Sequence, residues 1–157
     1  MATCLVEGLR AAGRPPVLLD GDRLREVLGR VGAHDAAARR ELALTYARLC
    51  REIALQGFDV VCATISMFDE VRGWNRQNLP GYREIYLRVP MAELMRRDPK
   101  GIYARQRSAG ESWVAGVDLA VELPTAPDLV IDNHGPVAAP AAAALILERF
   151  VTGQRPS

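Results

Sequence analysis

Pro16-Val17-Leu18-Leu19-Asp20-Gly21-Asp22 is a short apolar run that ends abruptly in two carboxylates. From Pro16 to Leu19 it has the length and bounding signals of a buried strand, and Asp20-Gly21-Asp22 forms the turn that leaves it. Upstream, residues 2–12 are helix-like, and Gly13 followed by Pro15-Pro16 stops them. Downstream, residues 36–56 read as a long helix with Leu42, Tyr46, Leu49 and Ile53 on one stripe and Gly57 as its stop. Phe58 to Ile65 is nearly continuous apolar and β-branched, as in a strand covered on both faces, and Glu84 to Val89 is another. Two short helices, 91–97 and 101–109, flank Asp98-Pro99, because the residue before a proline avoids helical geometry. Residues 110–127 lack a regular period and read as a loop, Asp128 to Asp132 as the last strand, and 137–151 as an alanine-rich terminal helix. Strands and helices alternate from end to end, so the fold class is α/β, with a mostly parallel sheet and helices on its faces. Residues 1–152 are expected to form one domain and 153–157 a tail.

Composition narrows the function. The 157 residues are 49% apolar, enough for one continuous core. Twenty basic against nineteen acidic residues leave a formal charge of +1, which does not indicate a generic electrostatic grip on nucleic acid or on an anionic membrane. Any phosphate must be held by local clusters. Cys4, Cys50 and Cys62 form no C-x-x-C pair and sit in apolar stretches, so they read as buried thiols in a reducing compartment. With His34 and His134 as the two imidazoles, a His/Cys metal site is not expected. No run reaches the ~18 apolar residues of a membrane span, and no signal pattern opens the chain, so a cytoplasmic protein is expected.

Three places carry candidate chemistry. Asp20 and Asp22 lie at the carboxyl end of a predicted strand, where open α/β sheets bind ligands. Asp-Gly-Asp is also an ordinary turn, in which Asp22 could cap a helix beginning at Arg23. On the functional reading, one carboxylate accepts a proton from an attacking hydroxyl or holds a magnesium ion, the other fixes a sugar, and Arg25 binds a phosphate. Arg96, Arg97, Lys100, Arg105 and Arg107 put five cations within twelve positions, either a solvated helix face or a lid that closes over phosphates. Ile65-Ser66 ends a strand at the same end of the sheet, where the serine either caps a helix or bonds a phosphate.

Together these segments resemble the adenylyl-sulfate kinase family, whose members phosphorylate the ribose 3'-hydroxyl of a 5'-activated nucleotide with ATP and magnesium. Leu19-Asp20-Gly21-Asp22-Arg23-Leu24-Arg25 resembles the family's L-D-G-D-N-x-R, Ile65-Ser66 its I-S-P, and Gly116-Val117-Asp118 its G-I-D. Arg97-Asp98-Pro99-Lys100-Gly101-Ile102-Tyr103 matches R-D-P-K-G-L-Y, the most specific of the four. The resemblance implies a three-layer α/β/α P-loop kinase-like fold. It places Asp20 as base or magnesium organiser and Asp22, Arg25, Arg39, Ile65 and Ser66 around the acceptor nucleotide. Arg97, Lys100 and Arg107 belong on the ATP side. The partner implied is a nucleotide substrate, with no nucleic acid and no membrane, and a homodimer is compatible with it.

The sequence departs from the family at the acceptor. His34 and Val114 stand where the family sandwiches adenine between two phenylalanines, Leu42, Leu44 and Thr45 replace the polar residues of an E-N-I-R-R segment, and Asp69 replaces an arginine. The lost donors are worth roughly 1.5–3 kcal/mol each, and Asp69 adds repulsion near phosphate or sulfate. Cys62-Ala63-Thr64-Ile65-Ser66-Met67-Phe68 with Trp74-Asn75-Arg76 resembles instead a side branch containing cytidine diphosphoramidate kinases, whose smaller pyrimidine suits the altered sandwich.

The family also places G-x-x-x-x-G-K-[ST] before its first helix, where backbone N–H groups and the lysine hold ATP phosphates. Met1-Ala2-Thr3-Cys4-Leu5 already aligns within that helix; the 157 residues contain no such loop, and Lys100 is their single lysine. The strand that precedes the loop, central in the family's sheet, is missing with it, so either the remaining strands close up or the chain is incomplete. A start codon set downstream of the true one or a trimmed sequence is the favoured explanation. A non-catalytic nucleotide-binding or interaction module is the second, and a strand and loop supplied by a partner the third.

Overall fold

The computed structural model describes residues 1–28, 36–65, 68–97, 121–134 and 139–152. Helix α1 (Ala2–Ala11) buries Val6 and Leu9, and Gly13 closes it with φ +75°, a left-handed conformation that suits glycine. Arg14 then grips Asp59 with two hydrogen bonds of 2.9 and 2.8 Å, holding the entry to β1 (Val17–Asp20) against the entry to β2 (Val60–Ala63). The two strands are parallel, with Leu19 opposite Cys62 and Asp20 opposite Ala63. Between them run α2 (Gly21–Val27) and α3 (Ala36–Leu55), the latter ended at Gly57, φ +89°.

Helix α4 (Asp69–Asn78) leads to β3 (Ile85–Arg88), which pairs in parallel with β4 (Leu129–Asp132), Leu87 opposite Ile131. Helix α5 (Met91–Arg97) follows β3, and α6 (Ala139–Leu147) follows β4, continuing as a π-helical turn over Glu148–Thr152. Helices α1 and α6 pack together as one layer, and α3 and α4 as the other. Ile131, Ala142 and Ile146 are the centre of a core to which Met1 and Leu5 of α1 and Ile85, Leu87 and Leu129 of the strands contribute. Alternation along β4, with Ile131 buried and Val130 exposed, gives that core its face of the sheet.

Several expectations are corrected. The second strand is shorter than Phe58 to Ile65, because Phe58 (52% exposed) and Ile65 (73%) lie outside the covered region. The buried stripe of α3 is Leu42, Tyr46, Ala47 and Cys50; Leu49 faces outward. Helix α4 has no counterpart in the sequence reading. Cys50 is buried and Cys4 half-buried, but Cys62 is exposed, since among the described residues β2 has a strand partner on one side only. The strands do not close up: among the described residues β1–β2 and β3–β4 are two separate parallel pairs. The helix expected over 101–109 and most of the loop over 110–127 lie outside the described residues. No helix among the described residues is long and apolar enough to cross a membrane.

Candidate functional site

The parallel pairing of β1 and β2 brings their carboxyl ends together and sends α2 away from them. Asp20 closes β1 and caps α2, its Oδ1 accepting the backbone N–H groups of Asp22 at 3.0 Å and Arg23 at 3.2 Å. The cap is therefore Asp20 and not Asp22, and the helix begins at Gly21 rather than Arg23. Gly21 is buried where the turn meets β2: a Cβ there would lie 3.1 Å from Thr64 Cγ2 and 3.4 Å from the Ala63 carbonyl oxygen.

Asp22, freed from capping, accepts a hydrogen bond from Arg25 Nη2 one turn on. Arg39, in the first turn of α3, lies close enough to Arg25 to feel it. Partial burial and then the Arg25 charge lower its pKa from the ordinary guanidinium value. Asp20, Asp22, Arg25 and Arg39, named from sequence, are thus gathered where α2 and α3 meet the carboxyl end of the first strand pair. Ile65 stands exposed just beyond β2. Ser66, Lys100 and Arg107 lie outside the described residues, as do His34 and Val114.

Tyr46 belongs to this neighbourhood and was not singled out for it. Its phenol is raised in pKa first by burial, with Arg25, Cys62 and Asp22 as its electrostatic neighbours. The available signal was helical phase: Arg39, Leu42 or Ala43, and Tyr46 share a face of α3 at three- and four-residue steps. Cys50 and Cys62 feel one another electrostatically. The Cys62 thiol and then burial raise the pKa of Cys50, while Cys50 and Thr64, against burial, lower that of Cys62.

Asp69, expected to repel an anionic ligand, is answered internally. It accepts from Arg72 Nε at 3.1 Å, and the buried Arg72 also donates to the Glu122 carbonyl at 2.7 Å and lies 3.5 Å from Glu84. Arg76 completes the network with Glu84 at 2.6 Å and Asp128 at 3.4 Å. An open depression of about 290 Å³ beside it, lined by Arg76, Tyr82, Arg83 and Asp128, lies toward the amino ends of β3 and β4, away from the acidic pair. On α5, Glu93 holds both Arg96 and Arg97 at 2.7 Å, and these two guanidiniums depress its pKa to about 2. Arg97, assigned to the ATP side, is thus engaged within its own helix.

Among the described residues no three His, Cys, Asp or Glu side chains converge as a metal cage. Magnesium needs none: it is held by one or two carboxylates together with substrate phosphates, and Asp20 and Asp22 at one strand end fit that requirement.

The sequence model described as Adenylylsulphate kinase matches residues 1–132. The chain belongs to the adenylylsulphate kinase family. Among the family's proteins, it is 41% identical over 129 residues to the cytidine diphosphoramidate kinase of Campylobacter jejuni, covering 82% of this chain and 75% of the relative. It is 35% identical over 127 residues to the bifunctional enzyme NodQ of Azospirillum brasilense, covering 80% of this chain but a fifth, 20%, of that longer protein. The fold superposes on the Mycobacterium tuberculosis APS kinase, solved in complex with AMPPNP and APS, with a TM-score of 0.85 and 26% identity over 94% of this chain and 86% of that one. The fold is accordingly that of the family's α/β P-loop kinases, and the relatives are nucleotide kinases.

Proposed function

We propose that the protein transfers a phosphoryl group from ATP to the ribose 3'-hydroxyl of a 5'-activated nucleotide, with a cytidine diphosphoramidate-type nucleotide as acceptor. The observation that carries this reading is the gathering of Asp20, Asp22, Arg25 and Arg39 at one end of a parallel strand pair. There carboxylates can address a sugar hydroxyl while guanidiniums hold the attached phosphates. The choice of acceptor rests on Cys62 to Phe68 and Trp74-Asn75-Arg76, on the replaced adenine sandwich, and on the Campylobacter relative.

Each residue has a task in this scheme. Asp22 orients the ribose, and Arg25 and Arg39 hold the acceptor's phosphate region with help from the Ile65-Ser66 turn. Asp20, with Oδ1 committed to the helix cap, has Oδ2 left to take the hydroxyl proton or to organise magnesium. Magnesium, when bound, neutralises charge on the phosphate oxygens. Arg97, Lys100 and Arg107 steady the ATP phosphates, which requires Arg97 to leave Glu93.

A second reading, a nucleotide-binding module without transfer, is favoured by one observation: Arg97, assigned to the ATP side, is held by Glu93 within its own helix. Incubating the protein with ATP, magnesium and either cytidine diphosphoramidate or adenylyl sulfate separates the readings. ADP and a 3'-phosphorylated cytidine product are expected. Acceptor binding without ADP supports the module, turnover on adenylyl sulfate alone reverses the choice of acceptor, and neither binding nor turnover overturns both.

A further inference from the structure

Helix α4 begins without a cap of its own. Phe68 stands at its N-cap and offers no side-chain acceptor, so the first N–H groups of the helix must be met from elsewhere. Glu122 meets one of them: its Oε2 accepts the backbone N–H of Asp69 across 53 positions of sequence. A carboxylate there also lies at the favourable end of the helix dipole. Glu122 and Asp69 are like charges and would part if left alone. Arg72, its side chain 4% exposed, holds both, donating to Asp69 Oδ1 at 3.1 Å and to the Glu122 carbonyl at 2.7 Å. The buried Glu84, 3.5 Å away, balances its charge.

Closing a helix does not require this. A serine or aspartate at position 68 would cap α4 locally, with no guanidinium to bury. The arrangement joins two distant segments, and the start of α4 is where they meet the acceptor site. Asp69 follows Ile65, the residue at the carboxyl end of β2, by four positions. From the other side α3 reaches the same point: Arg40, next to Arg39, sets its guanidinium 5.8 Å from the centre of the Phe68 ring and 3.6 Å from Glu70. The start of α4 is therefore a junction, held by Arg40 from the acceptor side and by Glu122 from the segment that leads into β4.

Resting on the acceptor-site reading above and deepening it, we infer that Glu122 is a positioning residue for the acceptor nucleotide. By capping α4 from outside it fixes the chain leaving β2 at Ile65 and, through Phe68 and Arg40, the first turn of α3 that carries Arg39. It acts through the Asp69 amide and touches no reacting atom.

Glu122 is exposed, so its substitution leaves the core intact. Glu122→Ala and Glu122→Gln are compared with the parent chain by hydrogen exchange at the Asp69 amide, calorimetric titration with cytidine 5'-diphosphate, and urea unfolding. Alanine is expected to speed exchange at Asp69 about tenfold and to weaken nucleotide binding about fivefold, while glutamine, which keeps an oxygen for the N–H, restores most of both. A cap that only stabilised its helix would lower the unfolding midpoint and leave the affinity alone, because without denaturant nearly every molecule is still folded. Faster exchange with parent-like affinity therefore overturns the positioning role and leaves the acceptor reading standing. Unchanged exchange in Glu122→Ala overturns the cap and the inference with it. A parent chain that does not bind cytidine 5'-diphosphate removes the acceptor reading together with the inference that rests on it.

Discussion

Asp20 carries two duties that substitution can separate. Asparagine keeps an oxygen for the Asp22 and Arg23 N–H groups, so Asp20→Asn should leave the unfolding midpoint nearly unchanged. Alanine removes the cap and should cost about 1 kcal/mol in urea denaturation. If Asp20 is the base, both variants lose roughly 10²–10⁴-fold in turnover, which an assay at saturating acceptor reads directly. The position of the acidic pair was legible because two carboxylates follow a buried apolar run. The division of labour within the pair was not, since Asp-Gly-Asp offers a cap at either end and only the helix start at Gly21 decides between them. Glu93 supplies a pH signature at the same scale. Its folded pKa, about 2, lies below the ordinary 4.5, so its contribution is present above that ordinary value and is lost as pH falls from 4.5 toward 2. The carboxylate is half-buried on a surface helix where solvent screens the pair, so the loss should appear as fraying of α5 in NMR chemical shifts rather than as global unfolding, and Glu93→Gln should abolish the transition.

Helix α4 shows why an element can escape sequence reading. Its ten residues, Asp69-Glu70-Val71-Arg72-Gly73-Trp74-Asn75-Arg76-Gln77-Asn78, bury Val71 beside Arg72, so a charged side chain occupies the covered face and apolar periodicity fails. What holds the helix is paired charge. Arg72→Ala should cost about 3 kcal/mol in urea denaturation, because Glu84 is buried and the Glu122 carbonyl loses its donor; Arg76, still on Glu84, keeps the loss from being larger. The contact between α1 and α6 is governed instead by size. A Cβ on Gly8 would fall 2.2 Å from Leu147 Cδ1. Gly8→Ala should therefore destabilise by about 1 kcal/mol, near the low end for overpacking because the obstructing atom ends a flexible side chain. Leu147→Ala should relieve part of that cost, so the double variant will be more stable than the sum of the two singles predicts.

At the scale of the molecule, alternating strands and helices made the parallel α/β architecture readable, since each apolar strand is bracketed by helical segments. Which strands pair was not readable, because pairing joins segments more than forty residues apart and leaves no local mark: Val17 meets Val60, and Ile85 meets Leu129. The departures at the acceptor were legible as substitutions, but their meaning needed coordinates. Asp69 read as a repulsive charge until Arg72 was seen to absorb it, and Tyr46 read as core until its hydroxyl was found without a partner. The division into two pairs has a practical consequence. Each of the four strands has a neighbour on one side only, so among the described residues the protein has rims and no sheet interior. Unpaired rims are templates for self-adhesion, blunted here by strands only four residues long and by the Arg88–Asp132 ion pair at one end. The apparent mass measured by light scattering should therefore rise with protein concentration, and the molecule should remain longest in solution when it is kept dilute.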